Sequence, residues 1–191
     1  MDNLTHSLVG LTTAKAGLDR LSPYATVVCL ASANAADADF VSLFFGDRWT
    51  LLQHHRGITH SIVGTIAIGL FMPMLAFAIE RIAALLTNYK TRIRLRGLLI
   101  ASLIAAATHP VMDWTNNYGV RPLLPWSGRW FYGDLIFIVD PYVWLVLGGA
   151  MFLLTSSSKP RAVAWAAVAK VRQVSWTSSR GFYKPTDSSL T

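Results

Sequence analysis

The residues with the clearest chemical potential in this chain are its histidines. Three of the five, His54, His55 and His60, fall within seven positions directly before a long apolar run. The other two, His6 and His109, each stand within four residues of an aspartate. Neutral imidazole and ionised carboxylate are good ligands for divalent transition metals. We therefore ask whether these separate segments converge on one metal site. Because His54 adjoins His55 and would point elsewhere, we leave it out of the predicted ligand set.

Two pairs of residues contain the aspartates that could bind a metal together with these histidines. His109 and Asp113 are four residues apart, so a helix would place both on one face, although Pro110 between them favours the start of a helical turn. Asp37 and Asp39 cannot share a helix face, but at a helix end one can bind a metal while the other orients a histidine. The alternatives are a structural hydrogen bond for the first pair and ordinary solvated aspartates for the second.

Two further residues are candidates with open alternatives. Asp140 interrupts a later apolar run directly before Pro141, and it either adds a carboxylate to the site or caps the helix that the proline restarts. Arg56 carries a guanidinium suited to phosphate recognition, and its alternative role is contact with lipid headgroups.

Composition places these residues in a membrane protein. Apolar residues make up 53% of the chain and charged residues 14%, with a mean hydropathy of +0.41, whereas soluble domains carry about 25% charged residues. The net charge of +7 comes mainly from lysines and arginines between and after the apolar runs. Membrane topology and anionic headgroups explain such clusters better than nucleic acid does. The single cysteine excludes an intrachain disulfide and a thiolate cluster.

The apolar runs predict an all-α, polytopic helical membrane protein. Three runs are clear candidates for spans, residues 62–79, 97–112 and 135–155. Before them, residues 4–18 and 23–36 predict a short N-terminal helical hairpin, because each is too short to cross a core of about 30 Å alone. The chain starts without the positive region of a secretory signal, so we expect the first apolar segment to remain in the protein.

We divide the chain into two regions. Residues 1–155 form a helical membrane domain that carries the His/Asp site. Residues 156–191 form a basic, Ser/Thr-rich C-terminal segment, in which residues 162–174 are a weak span or an interfacial helix and the stretch from Ser175 is disordered.

The distribution of positive charge predicts the orientation. Basic residues concentrate in the C-terminal segment and between the first two clear spans, at Arg81, Lys90, Arg92, Arg94 and Arg96. The positive-inside rule places both regions in the cytoplasm. The candidate metal ligands lie at the opposite ends of the same spans, so we expect them at the outer face of the membrane.

The order and context of these motifs resemble a known family. The matching pieces fall within residues 1–145 and are Asn3-Leu4-Thr5-His6, Asp37-x-Asp39, His55-Arg56-Gly57-x-Thr59-His60-Ser61, His109-x-x-x-Asp113, Gly133-Asp134 and Asp140-Pro141. They resemble the membrane-bound metal-dependent hydrolase family of the LexA-regulated inner-membrane type. The resemblance implies a helical protein of the bacterial inner membrane, distantly similar to the zinc-dependent phospholipase C and nuclease superfamily.

The resemblance also implies a ligand set. It makes His6, Asp39, His60, His109 and Asp113 the first-choice metal ligands, with Asp37 and His55 next. One departure concerns the soluble superfamily enzymes, which carry further histidines after the His-x-x-x-Asp motif. This chain has none beyond His109, so we do not expect a full three-metal site.

These observations predict a membrane-bound hydrolase in which a divalent metal activates water to attack a phosphoester of a lipid or envelope precursor. Zn²⁺ is the first choice, with Mn²⁺ or Fe²⁺ possible, as one or two ions. Arg56 is the predicted phosphate-binding residue and Asp37 the predicted general base. The predicted metal-binding residues are His6, Asp39, His55, His60, His109, Asp113 and Asp140.

Three other functions are alternatives to this one. A non-catalytic metal-binding adaptor of the inner-membrane stress response would share the site but show no turnover. A cation transporter is disfavoured because no charged residue lies within residues 62–79. An acyl-transfer enzyme is disfavoured because the chain lacks a Gly-x-Ser-x-Gly nucleophile motif.

Overall fold

A computed structural model of the chain describes residues 1–44, 56–87 and 89–156. Helices dominate this part of the chain, and the predicted all-α class is confirmed. The α-helices are α1 (Asn3–Lys15), α2 (Ala25–Asn34), α3 (Ile62–Thr87), α4 (Leu95–Trp114) and α5 (Pro141–Ser156). Short 3₁₀ segments cover Leu18–Arg20, Ala35–Phe44 and Ile58–His60. Two isolated bridges are the only β-type pairing among the described residues.

The first two helices form the predicted N-terminal hairpin. Asp2 caps α1 by accepting hydrogen bonds from the backbone N–H groups of Leu4 and Thr5, which satisfies donors that the helix itself leaves unpaired. The two helices approach closely at Gly10, where a Cβ atom would lie 2.8 Å from the Cβ of Ala33. Glycine is needed at this contact because any side chain would push α1 away from α2.

Two helices, α3 with 26 residues and α4 with 20, are long and apolar enough to cross a membrane. They pack against each other, and Gly69 of α3 meets Leu103 of α4 at the contact. Both candidate spans predicted for this region therefore correspond to helices in the structure. Pro73 lies inside α3 without ending it.

The prediction of a third clear span over residues 135–155 is wrong. Residues 135–140 are not helical, and the described helix α5 begins at Pro141 and has 16 residues. Asp140 accepts hydrogen bonds from the N–H groups of Tyr142 and Val143 at 2.9 and 3.4 Å, which starts the helix there. The apolar residues before it instead pair with the chain after α4, where Leu135 N–H donates to the Thr115 carbonyl at 2.8 Å.

Small residues make many of the helix contacts. Ala14, Ala25, Cys29, Ala101 and Ala105 are almost fully buried between α1, α2 and α4. A buried hydrogen bond of 2.8 Å joins the hydroxyls of Ser32 and Ser102 across α2 and α4. Small residues that let backbones approach, joined by hydroxyl hydrogen bonds, are typical of helix packing inside membranes.

The packed helices place two kinds of residue at opposite ends of the bundle. The start of α1, the end of α2, the start of α3 and the end of α4 lie together and carry the histidines and aspartates described below. At the other end, Arg94 N–H donates to the Ser22 hydroxyl and the Arg94 guanidinium donates to the Arg20 carbonyl, both at 2.9 Å. Which end faces the cytoplasm stays a prediction from the charge pattern. His54, His55 and residues 157–191 lie outside the described residues.

Candidate metal centre

Four side chains from three segments converge at the end of the bundle. His109 and Asp113 lie one turn apart near the end of α4, on one face as the spacing predicted. His60 comes from the 3₁₀ turn before α3, and Asp37 from the 3₁₀ segment after α2. One ligand atom from each of these four residues, which we call the metal group, lies within 4.8 Å of the other three.

The distances between these donor atoms are close to those of a coordination shell. The Nε2 atoms of His60 and His109 are 3.0 Å apart. Asp37 Oδ1 lies 3.5 and 3.4 Å from these two nitrogens, and Asp113 Oδ2 lies 3.3 and 3.5 Å from them. Four donors bound tetrahedrally at the usual Zn–N and Zn–O lengths are separated by about 3.3 to 3.4 Å. The five distances between these donor atoms therefore lie within about 0.4 Å of the values that one tetrahedral ion requires.

Hydrogen bonds to the far side of each ring set the tautomers. His109 Nδ1 lies 2.6 Å from the Ala33 carbonyl, which only accepts, so this nitrogen donates and Nε2 keeps its lone pair. Thr59 donates its hydroxyl hydrogen to Asp39 at 3.1 Å and lies 3.0 Å from His60 Nδ1. Because that hydrogen is already committed, His60 Nδ1 donates, and when each ring is neutral a lone pair remains on the Nε2 atoms of both His60 and His109.

The ionisation states suit a cation. Burial alone would raise the pKa of the Asp37 carboxyl, but its hydrogen bonds with His109 and His60 outweigh this effect and hold the pKa below its ordinary value. Burial lowers the pKa of the His6 imidazole beneath its usual range. The ionised form of Asp37 is the one that binds a metal, and the neutral form of His6 adds no positive charge beside the group.

Asp113 is the central residue of the group. Its Oδ2 faces the two Nε2 atoms, while its Oδ1 meets the Met1 ammonium group, His6 Nε2 at 3.3 Å and an Arg56 nitrogen at 3.4 Å. The Asp113 side chain is completely buried. A buried carboxylate needs positive charge near both of its oxygens, because burying a negative charge without an opposite charge costs several kcal/mol.

Arg56 supplies much of that compensation and is itself buried, with 4% of its surface exposed. Its Nη1 donates to Asn116 Oδ1 and to the Gly119 carbonyl, both at 3.0 Å, and its guanidinium lies 4.6 Å from the centre of the Tyr118 ring. The Arg56 backbone N–H also donates to Asp39 at 3.0 Å. The side chain thus joins the metal group to the loop after α4.

The other described residues that the sequence predicted as metal ligands lie outside the metal group. The His6 ring stacks on that of His109 with centroids 3.7 Å apart, its Nε2 lies 3.3 Å from Asp113 Oδ1, and its Nδ1 is buried without a hydrogen-bond partner. Asp39 lies behind His60, 3.5 Å from Nδ1, on the side away from the group. Asp140 is not brought into the group of four, because its carboxylate caps α5. His55 falls outside the described residues.

Asn116 lies at this site and was not predicted from the sequence. It is fully buried, and its side-chain oxygen accepts from the N–H groups of Tyr118 and Gly119 at 2.8 and 3.0 Å as well as from Arg56. Its amide nitrogen lies 3.5 Å from Asp113 Oδ1. The sequence Asn116-Asn117-Tyr118-Gly119 is a turn signature that could have marked it.

Gly64 controls the position of His60, and its replacement by alanine should disturb the centre. A Cβ atom at Gly64 would lie 1.9 Å from the carbonyl oxygen of Ile58, so the turn that carries His60 would have to move. We expect Gly64→Ala to lower the thermal midpoint in detergent and to weaken metal binding at least tenfold, by analogy with the about 10- to 100-fold losses seen when supporting groups of metal ligands are removed.

Gly148→Ala is the matched control for this prediction. Gly148 also lies inside a helix, but a Cβ atom there meets nothing within 4 Å. Alanine favours helix over glycine by roughly 0.5–1 kcal/mol, so this variant should be neutral or slightly stabilised. Equal behaviour of the two variants would mean that the close contact at Gly64 does not position His60.

Comparison with known proteins gives the chain a family but no activity. A relative in Bacillus subtilis (strain 168), described as "Uncharacterized protein YfhP", is 28% identical over 155 residues. The match covers 76% of this chain and 43% of the relative, so the chain spans less than half the length of that protein. No solved structure matches the chain. The model of the YdjM inner membrane protein family matches residues 1–181, and the chain belongs to that family.

Proposed function

We propose that this protein is a membrane-bound metal-dependent hydrolase, in which Asp37, His60, His109 and Asp113 hold one divalent ion. The observation that carries the proposal is the pair of Nε2 atoms at 3.0 Å, with both lone pairs directed into a space that two carboxylates also face. When no proton lies between its members, such a set of acceptors repels itself unless a cation lies there. The relation to zinc-dependent phospholipase C and nuclease enzymes stays a prediction.

The donor set favours zinc, with manganese or iron as alternatives. Two imidazole nitrogens and two carboxylate oxygens with near-tetrahedral separations match zinc sites. One ion fits better than two, because Asp113 Oδ1, the oxygen that would bridge to a second ion, already faces the Arg56 guanidinium and the Met1 ammonium group. Two positive groups at that oxygen would repel another cation.

Asp37 is the member of the group that a substrate can reach. Its side chain is 15% exposed, whereas the side chains of the other three are completely buried. The metal, when bound, would supply a Lewis acid that activates water for attack on a phosphoester. In this scheme Asp37 faces the ion through Oδ1, and its other oxygen, Oδ2, accepts the proton of the attacking water.

We assign Arg56 a positioning role in place of the predicted contact with substrate phosphate. Its guanidinium lies behind Asp113, and its donors are directed to Asp113, Asn116 and Gly119. Asn116 completes this support by contacting both Arg56 and Asp113. The pair therefore fixes the Asp113 carboxylate while its other oxygen remains directed at the ion site.

The variant Arg56→Lys tests whether Arg56 positions Asp113 or binds the substrate phosphate. Lysine keeps the charge but lacks the planar fork that contacts Asn116 and Gly119 together. We expect a loss of about 2 kcal/mol in unfolding free energy, measured by thermal denaturation in detergent, with one metal ion still bound. Arg129→Lys is the control, because Arg129 is exposed and its guanidinium lies over the Phe131 ring at 5.4 Å. Unchanged stability combined with lost turnover would favour the substrate-phosphate role instead.

The test of hydrolysis uses the full chain in detergent and in vesicles. Bis(p-nitrophenyl) phosphate and phosphatidylglycerol vesicles serve as phosphoester probes, with wild type beside His109→Ala. We expect turnover that chelation removes, that zinc or manganese restores, and that the variant lacks. Metal binding without turnover of either probe would overturn the enzyme assignment.

One observation favours a second candidate, a non-catalytic metal-binding protein of the inner membrane. Three of the four ligand side chains have no exposed surface, and structural metal sites are closed in this way. In that case the ion would hold α4, the turn before α3 and the segment after α2 together. Metal removal would then lower the thermal midpoint, and no phosphoester would be consumed.

A further inference from the structure

The loop that joins α4 to α5 exposes an unusual density of aromatic rings. We call residues 115–140 the aromatic loop. Trp126 and Tyr132 are 79% and 64% exposed, and Phe137 is similarly open to the surroundings. In a water-soluble loop such rings would cost free energy, because each leaves a large apolar area in contact with water. An environment other than bulk water is needed to explain them.

The position of the loop identifies that environment. The 20 residues of α4 rise about 30 Å, which equals the thickness of the hydrocarbon core. If α4 crosses the core along the membrane normal over its whole length, the span ends at Trp114 and the aromatic loop begins where the headgroup layer begins. Tryptophan and tyrosine concentrate at this boundary because their rings are apolar and their N–H and O–H groups are polar.

The charges of the loop fit the same layer. The Arg121 guanidinium lies 4.7 Å from the centre of the Trp130 ring, and that of Arg129 lies 5.4 Å from the centre of the Phe131 ring. An arginine stacked on a ring presents a positive charge beside an apolar surface. In a lipid layer the guanidinium can contact the phosphate while the ring contacts the acyl chain below it.

We propose that the aromatic loop lies in the lipid headgroup layer, and that it holds the metal group at the same depth. The loop is tied to the metal group by short contacts. Arg56 touches both Asp113 and the Tyr118 ring, and Tyr118 in turn meets Trp130 edge-on at 5.5 Å. Gly133 N–H donates to the Trp114 carbonyl at 2.6 Å, at the end of α4. Loop and metal group therefore cannot take different depths without breaking these contacts.

This placement narrows the substrate class, and that step rests on the proposed function. A site at headgroup depth meets the ester bonds of amphiphiles held in the bilayer. A soluble ester would have to leave water and enter the headgroup layer. We therefore infer that the substrate is an amphiphile whose phosphoester lies near the glycerol or headgroup level.

Depth-dependent quenching tests the placement without any need for metal or turnover. Cys29, the single cysteine, is replaced by serine, and single cysteines are introduced by W126C, Y132C and M74C. Each full-length variant carries an NBD label in phosphatidylcholine/phosphatidylglycerol vesicles. Headgroup spin labels, mid-chain spin labels and aqueous iodide are the quenchers, and NBD-labelled free cysteine is the aqueous reference.

The expected result is a shallow position for both loop labels. Headgroup spin labels should quench positions 126 and 132 most strongly, and iodide should quench them several times less than the free conjugate. The label at position 74, on the outward face of α3, should respond mainly to mid-chain quenchers. Full access of iodide to positions 126 and 132 would overturn the proposal. Protection from iodide without quenching by any lipid label would also overturn it, in favour of a protein partner.

A second measurement separates the substrate inference from the placement. Metal-loaded protein is given phosphatidylglycerol vesicles or the deacylated glycerophosphoglycerol at equal phosphoester concentration. At least tenfold faster turnover of the vesicle lipid is expected, whereas equal or faster turnover of the soluble ester would reject the amphiphile. No turnover of either probe beside shallow loop labels would reject the proposed function and leave the placement standing.

Discussion

Purified full-length protein should carry one equivalent of divalent metal, and His109→Ala should carry none. His109 has its Nδ1 bound to the Ala33 carbonyl, so its Nε2 is already directed at the group. Replacing it removes one of four donors and also opens space for water. Loss of an outer-shell group typically costs about 10- to 100-fold in metal affinity, and loss of a direct ligand should cost more. Elemental analysis after dialysis against limiting zinc or manganese measures the effect.

Two further variants should show an intermediate loss of metal and no loss of metal. Asp39→Asn should weaken metal binding by about tenfold, because Asp39 supports His60 and Thr59 from behind. Asp134→Asn should leave metal content unchanged, because it removes an exposed carboxylate from the aromatic loop. Stoichiometric metal in His109→Ala would show that the ion binds elsewhere. Absence of metal from the wild type after reconstitution would remove the basis of the proposed function.

Asp113→Asn should produce the largest loss of stability, even in metal-free protein. The substitution keeps the size of the side chain but removes the negative charge that Arg56 and the Met1 ammonium group face. Breaking a buried pair in this way leaves an uncompensated charge and costs about 3 kcal/mol or more. Thermal denaturation in detergent with chelator present measures it, because chelation removes the contribution of metal binding from both proteins.

The matched control is another aspartate in an ion pair. Asp19 accepts from the Lys15 ammonium group at 3.2 Å, four residues away, and both side chains are partly exposed. Such pairs contribute at most about 0.5 kcal/mol, so Asp19→Asn should leave the midpoint almost unchanged. A metal-free Asp113→Asn protein with the midpoint of wild type would contradict the central role of Asp113.

The error over the third span has a clear physical cause. Residues 135–139 are apolar, and a count of apolar residues joins them to the run that follows. Asp140-Pro141 nevertheless contains a start signal, because aspartate accepts the first N–H groups of a helix and proline needs no N–H acceptor at its first position. This start signal was present in the sequence, but the prediction gave more weight to hydropathy. Two of these apolar residues, Leu135 and Ile136, instead form backbone hydrogen bonds with the chain after α4.

The sequence by itself determined the membrane class, the helical hairpin and the shared face of His109 and Asp113, because composition and helix periodicity are local properties. It also determined that the histidines and the basic loop lie at opposite ends of the same helices. Only the tertiary structure decided that Asp37 joins the group while Asp39 lies behind His60, and that Arg56 is buried. These outcomes depend on how separate segments pack, and the positions of side chains from different segments follow from contacts that no local pattern encodes.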